Sequence, residues 1–531
     1  MGILSLPEEM HTTLGEHLDV KTFACLVRVC RDFRDIFTPM LYAQWYSELM
    51  LDGPRKPDMP PLPSNISLAK EVEIRIDGEF RDWDEADFEE DSGDEEVQRY
   101  REERIVQLRK ACTDHMMRIV ELGAGVQTLK LIESANDDTL LHAFTEEGFR
   151  KALQACTKLK KLQMKGCLNS TIMLQQFQNL SFLELNDVNG GINGVEDIAR
   201  LLSRCPHLKV LILGPTDYGS SFEPYDSHGN LRRDSKCILE YLCDYYHTIS
   251  AAKPLQLRRL VLPAELIPGK PASERIDNYL EQLTNTSFIT DLGFFNGLVA
   301  EDSSNSTAQF CDIDYTLLEN VSSLRSLKIT RIDSALRAWM DDEARNFADL
   351  RKLTVTQLYS MYDSLLDEFS MLDLPRLSEL SIREVTNVPN TPNLLTPVLE
   401  KPPGYDALAP YTILDRLPGH GRSLTKLGLY LDFATQWDNF SMHLSNMNSL
   451  TYLCIGQRRS STDGLPGPNP DPFVSPHDAL CYIKLISALC PSLRYVKIAY
   501  RAWKIGAGSQ ASTVKLDEND EFFEECWRWR G

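Results

Sequence analysis

A short apolar spacing, Leu-x-x-Leu-x-Leu, returns along most of this chain and limits what it can fold into. Its clearest copies are Leu180-x-x-Leu183-x-Leu185, Leu208-x-x-Leu211-x-Leu213, Leu324-x-x-Leu327-x-Ile329 and Leu350-x-x-Leu353-x-Val355. Further copies begin at Val126, Leu159, Leu257, Ile289, Leu377, Leu424, Leu450 and Leu493. Across these twelve copies the first position is Leu in ten and the second is Leu in eleven, Val496 being the exception. The closing Leu-x-Leu has the period of two that marks a strand with one buried face. Before many copies runs an amphipathic helical pattern, as in Ile198-Leu201-Leu202 and Leu480-Ile483-Leu485-Ile486-Leu489. The junctions between helix and strand recur too: Cys156-Thr157-Lys158-Leu159, Cys205-Pro206-His207-Leu208 and Cys490-Pro491-Ser492-Leu493. Proline there stops a helix, because it has no N–H and clashes with the preceding turn. A helix and a strand repeated in this way predict an α/β solenoid, in which each unit buries its apolar face against its neighbours.

The pattern resembles the leucine-rich repeat family over residues 105–516. That resemblance implies parallel strands on a concave face and helices on a convex one. The starts lie 21 to 49 residues apart, and five of the eleven gaps fall within the family's usual range of about 20–29. Cys167 fits the family's Asn/Cys turn position and Val188 does not. The expectation is an irregular array with insertions near 214–253, 386–422 and 457–477. The last two are rich in Pro and Gly.

Residues 1–50 read as a separate helical unit. Pro7 and the acids Glu8 and Glu9 suit a first helical turn. Met10, Leu14 and Leu18 then share a face, and Asp19 is placed to cap a second helix bearing Phe23, Leu26, Val27 and Cys30. Phe33, Ile36, Phe37, Leu41 and Trp45 continue the apolar pattern, with a break at Pro39. The run Leu6-Pro7-x-Glu9, Leu14, Leu18 to Phe23, then Val29-Cys30-Arg31-Asp32-Phe33-Arg34 resembles an F-box, with Phe33 where that family usually has Trp. The resemblance implies that Leu6, Pro7, Leu26, Val29, Cys30 and Phe33 form or support a docking face for a Skp-family adaptor. A plain three-helix cap sealing the first repeat is the alternative reading of the same residues.

Residues 51–104 separate the two parts. Pro54, Pro57, Pro60, Pro61 and Pro63 make a stiff linker, and Val72, Ile74 and Ile76 alternate as in an added strand. Residues 77–103 hold fourteen acids against three Arg, a composition expected to stay disordered. Ser92, followed by Gly93-Asp94-Glu95-Glu96, is a candidate site for an acid-directed kinase. Residues 517–531 form a C-terminal cap or tail with four aromatics.

The remaining signals are mostly exclusions. A net charge of −21 argues against general nucleic-acid binding, which draws on Lys and Arg neutralising phosphates. Thirteen Cys without a Cys-x-x-Cys pair, and no signal peptide, predict a reducing intracellular compartment, nucleus or cytoplasm. No apolar run reaches the length of a membrane span. Met1-Gly2 lacks the Ser or Thr that a myristoylation motif needs, because Leu6 holds that place. Asp84-Glu85-Ala86-Asp87 spells a helicase tetrapeptide, but no phosphate-binding loop accompanies it, and Gly506-Ala507-Gly508 is too short for a dinucleotide signal. No catalytic constellation, metal-ligand spacing or cofactor motif stands out.

What is present is a surface. Residues flanking the inward leucines are expected on the strand face: Lys328, Thr330, Arg383, Tyr430, Lys497 and Arg501 are the candidate target-binding positions. Together the two resemblances imply a non-catalytic substrate-recognition subunit of an SCF-type ubiquitin ligase, joined through its adaptor to a cullin and a RING subunit and holding a protein target on its repeats. A non-degradative interaction scaffold with the same parts is the other function class.

Overall fold

A computed structural model of the chain describes residues 20–50, 65–77, 95–123, 125–133, 139–168, 172–188, 191–214, 238–250, 253–263, 278–295, 315–318, 320–329, 349–358, 376–385, 423–431, 433–457, 476–498, 501–506 and 511–514, with positions 10, 18, 62, 336, 339 and 374. The chain divides into two compact units. The first comprises Met1–Asn285 with Gly297–Cys311, and the second Thr286–Asn296 with Asp312–Gly531.

The first unit opens with helices α1 (Val20–Leu26) and α2 (Arg31–Leu41), then strands β1 (Gln44–Met50) and β2 (Glu71–Asp77). Helix α3 (Glu95–Leu122) leads to β3 (Thr128–Glu133), and α4 (Thr139–Thr145) and α5 (Glu147–Ala155) lead to β4 (Lys161–Leu168). Strand β5 (Phe182–Val188), helix α6 (Gly191–Ser203), β6 (Val210–Leu213), α7 (Ile238–Ile249), β7 (Arg259–Pro263) and the single turn α8 (Leu280–Leu283) complete it. Strands β1 to β7 lie side by side in chain order, each parallel to the next.

The second unit holds β8 (Asp291–Phe295), β9 (Ser326–Ile329), β10 (Lys352–Leu358), β11 (Glu379–Val385) and β12 (Lys426–Leu431). Helix α9 (Phe433–Leu444), β13 (Tyr452–Gln457), α10 (Pro476–Leu489) and β14 (Tyr495–Ile498) follow. Strands β8 to β14 are parallel neighbours in chain order. The sheet then ends in antiparallel strands β15 (Arg501–Ile505) and β16 (Ala511–Val514).

The apolar repeat explains this order. Each of the twelve expected copies supplies one strand, β3 to β14. The second Leu of each becomes a rung of the core: Leu129, Leu162, Leu183, Leu211 and Leu260 in the first unit, and Leu292, Leu327, Leu353, Leu380, Leu427, Leu453 and Val496 in the second, are all buried. Backbone hydrogen bonds repeat with the same period. At the start of most strands two successive amides donate to one carbonyl of the strand before. Ser181 and Phe182 donate to Lys160 at 2.8 and 3.1 Å, and Thr451 and Tyr452 donate to Thr425 at 2.8 and 3.0 Å. This fixes each strand's register against its predecessor, so the apolar column stays aligned.

The cysteine junctions recur as well. The Leu159, Leu208 and Leu493 amides each donate to the carbonyl of the Cys three residues before, closing the turn between helix and strand. Each thiol then touches the backbone of an earlier segment. Cys156 Sγ donates to the Val120 carbonyl, Cys205 Sγ accepts from the Leu180 amide at 3.4 Å, and Cys490 Sγ donates to the Leu444 carbonyl at 2.9 Å. Cysteine at this place is a small apolar plug with one weak polar contact.

Several boundaries differ from expectation. Parallel pairing begins at Gln44, inside the stretch assigned to the N-terminal helical unit, while the added strand expected from Val72, Ile74 and Ile76 is β2. The Lys70 and Glu71 amides donate to the Ala43 carbonyl, which makes β1 and β2 ordinary members of the ladder. Pro39 lies inside α2, which continues two residues beyond it to Leu41, at the loss of the one backbone bond that its missing N–H would have made. Helix α3 starts at Glu95, within the acidic run and ahead of residue 105. Helix α7 occupies part of the interruption at 214–253 and packs on α6 as a regular repeat helix. The first expected helix, apart from Met10 and Leu18, the interruption at 386–422, most of that at 457–477 and the tail at 517–531 lie outside the described residues. Among the described residues no helix is long and apolar enough to cross a membrane.

Candidate functional site

Two surfaces collect the residues singled out in the sequence. The first is the N-terminal helix pair. Cys30 is the N-cap of α2: its Sγ accepts from the Phe33 amide at 3.4 Å, and its carbonyl accepts from Arg34. Phe37 is fully buried, with Phe23 and Phe33 ring centroids 5.9 and 5.7 Å away. Around this small aromatic core the sequence leaves apolar surface exposed. Val29, in the turn between the helices, is 65% exposed, and Leu26, Cys30 and Phe33 are half-buried. Leu6, Pro7 and Ser92 lie outside the described residues.

The second surface is the strand face opposite the leucines. In the second unit the pairing puts Ser326, Lys352, Glu379, Lys426, Tyr452 and Tyr495 in one row across the strands. The antiparallel pair β14–β15 extends it to Lys504. Contacts run along the row. Lys426 Nζ lies 3.0 Å from Glu379, which also faces Lys352 at 3.9 Å. The same ammonium stands 5.4 Å from the Tyr452 ring centroid, Tyr452 and Tyr495 stack at 4.9 Å, and Lys504 lies 6.0 Å from Tyr495. Such alternation of cation and ring face is favourable because the ring quadrupole is negative above its plane.

The next row reads Gly293, Lys328, Thr354, Ser381, Gly428, Cys454 and Lys497. Its middle members are small and buried, and Lys328 and Lys497 at either side are half-buried. Two of the expected target-binding positions therefore share a row. Arg383 and Tyr430 stand two residues further along β11 and β12, where they pair with Thr356 and Gly456. Arg501 opens the antiparallel strand β15, where it pairs with Ile498. Missed altogether were Lys352, Glu379, Lys426, Tyr452 and Tyr495. Each immediately precedes the second apolar position of its repeat, so the signal was a single column of the repeat alignment.

The first unit carries a different row. Lys130 reaches Glu71 at 2.6 Å and Glu73 at 3.6 Å, Arg75 reaches Glu73 at 3.5 Å, and Gln163 donates to Glu184 at 2.6 Å. Here acids alternate with bases. Beneath it lies a buried polar group. Burial, with the Glu133 charge adding, pushes the Cys112 thiol up to about 12, and burial, then Arg118, lower the His115 imidazole. Among the described residues no three His, Cys, Asp or Glu side chains are grouped so as to hold a metal ion.

No protein-family model matches the chain, and no curated protein is significantly similar to it.

Proposed function

We propose that this chain is the substrate-recognition subunit of an SCF-type ubiquitin ligase: its N-terminal helices dock on a Skp-family adaptor and its leucine-rich strand face holds a protein target. On this reading it makes no bonds itself and supplies proximity and orientation. The observation that carries the reading is the exposure of Val29, with Leu26, Cys30 and Phe33 beside it, on a small helix pair placed ahead of a long ladder of parallel strands. A pair this small buries little apolar surface of its own, and a docked partner would add to it. The test is co-expression of the full chain with a Skp-family adaptor, beside Val29→Asp and the double variant Leu6→Ala with Pro7→Ala. Co-purification with the parent and loss in both variants is expected. A well-folded parent that leaves the adaptor behind would overturn the reading.

One observation favours the alternative of a helical cap: α2 ends at Leu41 and β1 begins at Gln44, so the helices run almost directly into the first strand. A cap predicts that removing residues 1–43 exposes β1 and lowers stability, with no adaptor bound by any form.

A further inference from the structure

We propose that the row Lys352, Glu379, Lys426, Tyr452, Tyr495 and Lys504 is a docking strip for an acidic segment of the partner protein, one that sets an aromatic residue between two carboxylates. The proposal rests on reading the strand face as the target surface, and it is independent of adaptor docking.

Charge gives the first argument. Across the two outward rows of the second unit stand Lys328, Lys352, Lys426, Lys497 and Lys504, against Asp291 and Glu379. The whole chain has a net charge of −21. A cationic strip on so acidic a protein favours an anionic segment locally, while the surrounding field repels an extended polyanion such as nucleic acid.

The aromatic pair gives the second. Tyr452 and Tyr495 stack with planes 22° apart, both half-buried, and each carries an ammonium near its ring. Rigid tyrosines are low-entropy contact area, and with their faces taken by each other and by the two ammoniums, the edges of the stacked pair offer contact to a further aromatic or apolar side chain.

Spacing gives the third. Lys426 and Lys504 lie three strand steps apart, on β12 and β15, which is about 14 Å at roughly 4.8 Å per strand. An extended peptide crossing the strands covers that distance in about four residues at roughly 3.4 Å each. Carboxylates at positions one and five would reach the two lysines, and the residue at position three would lie over the tyrosine stack. Carboxylates fit better than phosphates, because Glu379 stands 3.0 Å from Lys426 and would repel a dianion more strongly than a monoanion. Lysine ammoniums also lack the planar fork that grips phosphate in two places.

The experiment uses the full chain and labelled synthetic peptides, read by fluorescence anisotropy at low and high salt. The probes are Glu-Gly-Trp-Gly-Glu, its Gln-for-Glu counterpart, and a version with phosphoserine for Glu. The acidic probe is expected to bind at least tenfold more tightly than the neutral one, with affinity falling as salt rises. Lys426→Gln with Lys504→Gln should weaken it about tenfold, and Lys130→Gln, on the other row, should leave it unchanged. Melting curves show whether each variant is folded. Independently of any variant, bound peptide should protect Lys426 and Lys504 of the parent chain from acetylation, measured by mass spectrometry. Equal affinity for acidic and neutral probes, an unaffected double variant, or no protection overturns the strip. Tighter binding of the phosphoserine probe overturns the choice of carboxylate. Peptide binding lost with adaptor co-purification intact condemns the strip alone, and the reverse pattern condemns the ligase reading alone.

Discussion

Ser47 on β1 and His115 on α3 meet inside the first unit, Oγ and Nε2 being 3.5 Å apart and both residues buried. The contact ties the first strand of the ladder to the first long helix, across residues 51–94. Burial, with the Arg118 charge adding, lowers the imidazole's pKa from its ordinary 6.5. In the folded chain His115 therefore takes up its proton at a lower pH than in the unfolded chain. Between those two values the unfolded state holds more protons, so stability is full above about pH 7 and falls as pH drops through the window below 6.5. Urea denaturation at pH 7.5 and 5.5 should show a loss in the parent chain that is smaller in His115→Gln. Equal losses in both would show that other groups set the pH response.

The cysteines give a prediction that needs no mutation. Burial raises the pKa of the Cys112 thiol to about 12 and that of Cys490 to about 11, and raises those of Cys156 and Cys205 as well. Cys25 and Cys481 are exposed. Since the thiolate is the reacting species, iodoacetamide at pH 8 should modify Cys25 and Cys481 within minutes and leave the other four intact until the chain is unfolded. Early labelling of Cys205 or Cys490 would mean that the turns between helix and strand open in the native state.

The repeat column gives the stability test. Leu427 on β12 is fully buried, and Met442 on α9 is 61% exposed. Truncating a core leucine to alanine removes its burial and leaves a cavity, at a cost of about 2–5 kcal/mol. Met442→Ala should stay within about 0.5 kcal/mol of the parent, as surface changes do. The difference is readable as a shift in the urea midpoint with unchanged slope. A mild effect of Leu427→Ala would place the second unit's core elsewhere.

How far the sequence was legible follows from the same column. Twelve strands were visible because Leu holds two of three positions almost throughout. Strand β1 was not, because its equivalent residues are Tyr42, Trp45 and Ser47, and only Leu49 beyond them carries the expected apolar character. The aromatics there fit an amphipathic helix equally well, so periodicity could not decide. The antiparallel pairing of β14 with β15 was not legible either, because a strand pattern in the letters carries no direction of pairing. The row from Lys352 to Tyr495 was less legible because its residues precede the second leucine, whereas the expected binding positions lie between and beyond the leucines. Charge alternation along that column, Lys352, Glu379 and Lys426, was present in the letters all along.

On the helical side, a polar clamp joins neighbouring repeats. Arg200 on α6 donates to the Tyr245 hydroxyl on α7 at 2.6 Å, while its guanidinium lies 5.4 Å from that ring's centroid. The same side chain pairs with Glu196 and Asp197 of its own helix at 2.8 and 2.9 Å, and Tyr241 donates to Glu196 at 2.9 Å. Arg200 is nearly half exposed, so solvent screens these charges and its pairs contribute little singly. A double-mutant cycle with Arg200→Ala and Tyr245→Phe isolates the inter-helix bond, because phenylalanine keeps the ring and removes only the hydroxyl. The coupling should be small but measurable, and smaller than the cost of Arg200→Ala alone, which also strips the acids of their partner. Coupling indistinguishable from zero would mean that α6 and α7 are held by buried contacts such as Ile198, Leu202 and Leu242, and that the polar clamp only decorates the surface.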